Sequence, residues 1–279
     1  MKLLSVRLLC LMLLASTFAK SQNISRLDLT GGLGAACYLG DLIQNDHAIF
    51  DQPSWAISGG VAYHVSPKWT WVSEVSFLRV RAADKKNSSP ALRARNLSFK
   101  SDIWNINSVA EYDIWDLEAG HSFTPYAFVG IGLFHFNPFT TDRFGKQMYL
   151  EPLGTEGQGL AAYPDRTPYN LTQLELPVGI GFKYKLNRNV NLQLEFRYHY
   201  IDTDYLDDVS STYPSLAVIN AANPNLHNLT YRGDELPGGA PYPAAGSVRG
   251  NPNNKDSYYT TQIKFAYRLK SPKKTTASH

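Results

Sequence analysis

Past its first 21 residues the sequence holds one cysteine, Cys37, and so cannot form an internal disulfide. Beyond that point it also lacks any apolar run of about 18 residues, which excludes a chain that crosses a membrane by helices. Net charge is missing as well. Lys2, Arg7 and Lys20 belong to the opening segment, and the remainder carries 24 basic and 24 acidic residues. A neutral chain gives no support to nucleic-acid binding. No Ser/Gly linker and no shift in composition divides it.

The opening segment, MKLLSVRLLCLMLLASTFAKS, reads as a secretory signal. Lys2 and Arg7 supply positive charge, Leu8 to Leu14 an apolar core, and Ala15 to Ser21 small residues near a cleavage point. Cleavage is expected after Ser21, with Ala19 the alternative. Cys10 lies inside the apolar core without small residues before it, which argues against a lipid anchor. The expected organisation is a signal at 1–21, one β-barrel at 22–270 and a basic tail at 271–279.

What is abundant is tyrosine (17), glycine (20) and two-residue periodicity. In NLQLEFRYHY, preceded by Val190, the residues Val190, Leu192, Leu194, Phe196, Tyr198 and Tyr200 share one strand face. Asn191, Gln193, Glu195, Arg197 and His199 share the other. Roughly 9–11 residues suffice to cross a bilayer as a tilted strand, and an apolar face ending in two tyrosines suits a membrane interface. Further candidate strands lie at 26–39, 55–65, 69–81, 98–114, 124–136, 171–186 and 258–269. The phase of 69–81 is ambiguous, and 124–136 is apolar on both faces. Three connections are short: 66–68, 115–123 and 187–189. The other four run about 15, 16, 34 and 57 residues and alternate with the short ones. Alternation puts every long loop at one end, as in an all-β, eight-stranded, antiparallel up-and-down transmembrane barrel with four long extracellular loops, including those at about 137–170 and 201–257. Compact soluble domains rarely hold structureless loops of more than about 12–15 residues.

An eight-stranded barrel is just wide enough to be filled by side chains. Glu74, Glu111, Glu175, Lys183, Glu195, Arg197 and Lys264 are the candidates for that filling, paired into a plug rather than lining an open pore. Glycines of the first, second and fifth strands would make room for large neighbours. Cys37, in phase with the apolar face of the first strand, reads as a small lipid-facing residue.

Several strings resemble one family. They are Tyr38-Leu39-Gly40-Asp41-Leu42, TPYAFVGIGLFHFNP at 124–138, LPVGIGFKYKL at 176–186, EFRYHYIDTDYLDDVSSTY at 195–213, Arg249-Gly250-Asn251 and Asp256-Ser257-Tyr258. Together the chain resembles the PorG-type (DUF6089-class) outer-membrane barrels of the type IX secretion system. The resemblance implies an integral outer-membrane, non-enzymatic subunit without cofactor. It would anchor a periplasmic ring, built from a lipoprotein and its partner, for protein secretion and gliding motility. For a periplasmic partner the short turns and tail are the accessible elements, and Trp115, Leu117, Glu118 and Lys270 are the expected contacts. The last strand departs from the common aromatic ending of barrels, being followed by Lys270 and SPKKTTASH.

Other chemistries are weaker. Asp202, Asp204, Asp207 and Asp208 have the oxygens for a calcium ion but lack the glycine and final glutamate of an EF-hand loop. An acidic turn that caps backbone groups or pairs with nearby Arg and Lys is the simpler reading. Arg79, Arg81, Lys85, Lys86, Arg93 and Arg95 can meet lipopolysaccharide phosphates or be neutralised within the protein, the latter being more economical. A lipid-modifying enzyme needs a nucleophile, base and orienting group together. His121-Ser122 falls in a turn, and His199 beside Glu195 and Arg197 reads as a buried hydrogen-bonding residue. A surface-ligand or adhesin-like barrel acting through its loops is the third alternative.

Overall fold

The computed structural model describes residues 26–43, 52–224 and 226–269; the expected signal, the tail and Lys270 lie outside them. Eight long strands form the wall: β1 (Leu27–Leu39), β2 (Ser54–His64), β3 (Trp69–Ala83), β4 (Ser98–Asp113), β5 (Phe123–Thr141), β7 (Thr172–Lys185), β8 (Val190–Ile201) and β9 (Ser257–Arg268). A short strand, β6 (Gln147–Tyr149), pairs only with the top of β5. Every neighbouring pair is antiparallel. β4 pairs with β5, and β1 pairs with β9 from Asp28↔Arg268 to Leu39↔Ser257, so the wall closes on itself. Closure leaves no unpaired edge, which a bilayer requires. β3 and β5 run past their expected ends, to Ala83 and Thr141, because β4 and β6 continue the pairing above the membrane.

The outer wall is apolar. Leu33, Ile106, Val129, Ile131, Leu174, Ile180, Leu194, Ile263 and Phe265 are exposed on it. In water such a belt is an aggregation site; in lipid it is the driving force for insertion. Aromatic residues bound it on both sides. Trp69, Tyr112, Trp115, Phe123 and Tyr184 stand at the short-turn end, and Trp55, Phe77, Trp104, Tyr198 and Tyr200 toward the long-loop end. On β8 the expected faces are observed: Leu194 and Tyr200 point outward, and Gln193, Glu195, Arg197 and His199 are buried inside.

The interior has two halves. Toward the short turns it is charged, and all seven expected residues are buried there or at mid-height. Lys183 Nζ lies 2.7 Å from Glu111 and 2.9 Å from Asp113. Arg197 bridges Glu74 at 3.0 Å and Glu195 at 2.9 Å, and Lys264 reaches Glu74 at 2.6 Å. Tyr126 donates to Glu195, and Tyr258 donates to Glu175. At the periplasmic mouth a cavity of about 40 Å³ is left, room for a few waters and far from a channel. Glycines make room for the larger groups. Tyr126 and Phe128 of β5 lie over Gly181 and Gly179 of β7, where any Cβ would collide with their rings.

Toward the long loops the interior turns apolar. Leu78, Val80, Phe99, Ile103, Phe134 and Phe136 point inward and join Leu42, Leu150, Leu206 and Val209 of the loops in one buried cluster. This explains the two ambiguous strands: in β3 the apolar phase passes from the outward face (Trp69, Trp71, Val75) to the inward one (Leu78, Val80), and the upper part of β5 has lipid on one side and this core on the other. Cys37 departs from its expected place. It keeps the outward phase but is buried rather than lipid-facing, since it stands opposite the large Tyr259, whose ring packs on Phe196.

Candidate functional site

The long loops fold into a cap over the upper core, and the acidic block of 202–208 is its centre. Asp202 stays exposed, whereas Asp204, Asp207 and Asp208 turn inward and are buried. Tyr38, at the top of β1, places its hydroxyl 2.6 Å from Asp207 Oδ2 and 2.8 Å from Asp256 Oδ1. A phenol has one proton to donate. One of the two carboxyls must therefore be neutral and donate to the phenol oxygen. Burial pushes both acids well above the usual carboxylate range, and their mutual repulsion adds to it for Asp256. Their other oxygens accept the backbone N–H groups of Val209 and Leu206.

Asp208 sits in the left-handed region at φ 67°, which Asp tolerates better than most residues. It accepts hydrogen bonds from the hydroxyls of Thr155 and Tyr169. Arg249 donates at 2.6 Å to the Asp208 carbonyl and at 2.8 Å to Glu156. Glu156 also accepts the N–H groups of Ser210 and Ser211, tying the 142–171 loop to the 202–256 loop. Asp41 accepts from Asn251 N–H, and a Cβ on Gly250 would collide with the Asp41 carboxylate, so this approach needs glycine. Arg95 closes the assembly with a bidentate pair to Asp84 and a bond to the Arg249 carbonyl. Burial pushes Asp204 and Asp208 up to about 7, the latter against the pull of Arg249.

The acidic block is thus a packed turn in which Asp207 caps the Val209 N–H and Asp208 meets Arg249, whereas Asp202 and Asp204 do neither. Among the described residues no group of three His, Cys, Asp or Glu is placed to hold a metal ion. Sequence reasoning overlooked Glu156, which lies in a loop with no periodicity. Tyr38, Asp41, Arg249 and Asp256 lie in the family-resembling strings, but nothing in those strings, far apart in the chain, marks that they meet around Asp207 and Asp208.

At the opposite end, the turn of 114–122 carries Trp115, Leu117 and Glu118. Asp116 caps a short 3₁₀ turn (Leu117–Ala119) by accepting Glu118 N–H. Glu118 is exposed, 3.5 Å from Lys185. Trp115 is exposed, with Phe123 edge-on to its ring at 5.1 Å. Leu117 is buried beneath the turn, so it shapes this surface without presenting itself on it. Beside it, Asp28 pairs with Arg268 and with His64, the latter at 2.8 Å, in the mouth of the barrel. His199 Nδ1 lies 3.0 Å from Glu175 and its ring stacks on Tyr258 at 4.1 Å, the buried hydrogen-bonding place expected of it.

A closed antiparallel wall with an apolar belt, aromatic girdles, short turns at one end and a folded cap at the other defines an integral outer-membrane β-barrel. The profile of the outer membrane protein beta-barrel domain matches residues 7–230, and the chain belongs to that family. No curated protein matches the sequence. Similar solved structures include neisserial surface protein A, at 10% identity and a TM-score of 0.43, covering 87% of this chain and 97% of that one. Another is the attachment invasion locus protein Ail of Yersinia pestis in complex with the heparin analogue sucrose octasulfate, at 9% and 0.41, covering 87% and 97%. A third is a major outer membrane protein of Thermus thermophilus, at 11% and 0.39, covering 87% and 99%. At such identities and TM-scores none of them bears on what this chain binds.

Proposed function

We propose that the barrel is a non-enzymatic outer-membrane subunit of a type IX secretion and gliding machine, anchoring its periplasmic ring of lipoprotein and partner protein to the membrane. The observation that carries this reading is the convergence of the family-resembling strings. Tyr38, Asp41, Asp207, Asp208, Arg249 and Asp256 meet in one buried assembly, so four of the six strings that carry the resemblance form a single structural unit. A filled interior favours work done by surfaces rather than by conduction. The ring would meet the periplasmic turns, with Trp115 and Glu118 as the accessible side chains and Lys270 leading into the tail.

The test is extraction of the native outer membrane in mild detergent and pull-down of a tagged copy. Retention of a periplasmic lipoprotein, weakened severalfold by Trp115→Ala with Glu118→Lys while the barrel still assembles, is the expected result. Recovery of the barrel alone would sink the anchoring role. A surface-ligand role through the cap is the second reading, favoured by how completely the long loops pack. It predicts that binding to an external ligand, not ring retention, is lost when the 202–256 loop is replaced.

A further inference from the structure

Above the outer aromatic girdle, the tops of β3 and β4 carry charges that the protein does not fully balance. Phe77 and Trp104 stack at 4.1 Å on the outward face. Two residues higher, Arg79 and Asp102 form a bidentate pair. Two higher again, Arg81 of β3 stands directly opposite Lys100 of β4, both exposed. Like charges facing each other across a strand pair destabilise it unless an anion lies between them.

These two residues, with Lys85, Lys86 and Arg232, line a cleft of about 340 Å³ whose wall includes the buried rings of Phe99 and Phe139. No carboxylate lines it. The nearby acids are committed elsewhere: Asp102 to Arg79, Asp84 to Arg95 and Glu235 to Arg232. Among the described residues, the Arg81 guanidinium donates to the carbonyls of Gln52 and Pro53. Among the described residues Arg81, Lys85, Lys86 and Lys100 have no ion-pair partner, so the expected internal neutralisation holds for Arg79 and Arg95 but not for these four.

We infer that this cleft binds clustered phosphate groups on the saccharide headgroup of an outer-leaflet lipid. Position favours a lipid over a soluble polyanion. The two cations face outward, about 13 Å along the strand above Trp104 at about 3.3 Å per residue, at headgroup height. A guanidinium beside ammonium groups suits phosphate oxygens, and the partly apolar cleft wall accepts a sugar ring.

Purified full-length barrel in dodecylmaltoside would be titrated with fluorescent diphosphoryl lipid A, with its dephosphorylated form and with dextran sulfate. Diphosphoryl lipid A should bind, more weakly as salt rises. Arg81→Glu with Lys100→Glu should weaken it about tenfold, whereas Arg188→Glu at the periplasmic end should leave it unchanged. Heat-modifiable gel mobility would verify that each variant is folded, and Arg81→Gln with Lys100→Gln, less disruptive to β3 and β4, should show a smaller loss of the same kind. Equal affinity for the phosphorylated and dephosphorylated lipids, or for wild type and both double variants, would overturn the site. Tighter binding of dextran sulfate than of lipid A through the same residues would overturn the lipid as its source.

Discussion

The two halves of the barrel interior are built on opposite principles. The half near the short turns is filled by charge: Lys183, Arg197 and Lys264 each lie between two carboxylates. The half near the cap is filled by rings and branched chains, among them Phe99, Phe134 and Phe136, continuous with Leu206 and Val209. Both are densely filled and both block the lumen, but they tolerate loss differently. A buried ion pair contributes little net stability when whole and costs much when one member is removed. An apolar core loses stability in proportion to the volume removed and recovers it when the volume returns.

The largest expected effect is therefore Arg197→Met, which leaves Glu74 and Glu195 with only Lys264 between them and should cost about 3–5 kcal/mol in urea unfolding from micelles. Removing Glu74 and Lys264 together, as Glu74→Gln with Lys264→Met, keeps the Arg197–Glu195 pair and should cost less than Lys264→Met alone. If it costs more, the lower half is not held by paired charge. In the upper half, Phe136→Ala should cost about 3 kcal/mol and Phe136→Leu less than about 1.5. Size thus restores stability above, whereas charge restores it below.

The cap supplies the next test. Asp204 and Asp208 are pushed up to about 7, so between pH 4 and 7 the folded cap binds protons that an unfolded one releases. Its stabilisation is full below about pH 4 and is lost as pH rises through about 7. Arg249, Glu156, Thr155 and Tyr169 face Asp208, with Asp41 and Lys255 near Asp204. Amide exchange in 202–210 should therefore be slower at pH 5 than at pH 8, after correction for intrinsic rates, and a flat profile would contradict this proton uptake. The smallest effect belongs to the outer wall, where Asp102→Asn, breaking a half-exposed pair, should cost under about 1 kcal/mol by the same urea assay.

Legibility followed the same division. Where lipid lies on one side and charge on the other, alternation is unambiguous, and β8 with all seven interior charged residues could be read directly. Where both sides are apolar, as in upper β5, or the apolar phase changes face, as in β3, period two is hidden, and neither strand's true end, Ala83 or Thr141, shows in the pattern. Glu156 and the Arg81–Lys100 facing pair were out of reach for another reason. One depends on how two long loops fold together, the other on inter-strand register, and neither leaves a periodic mark. Cys37 was assigned to lipid from phase alone, which cannot register the shielding by Tyr259.

The seam between β1 and β9 has a consequence for how the molecule comes to exist. Residues some 240 positions apart, Asp28 and Arg268, must pair before the wall is complete. Contacts that distant form late and slowly. A chain still being delivered, or one ending before Ser257, presents two bare strand edges whose amides have no partner in lipid. Maturation should therefore be all-or-none: stalled and truncated copies are open templates for misassembly and proteolysis, and only a chain delivered through Arg268 can close.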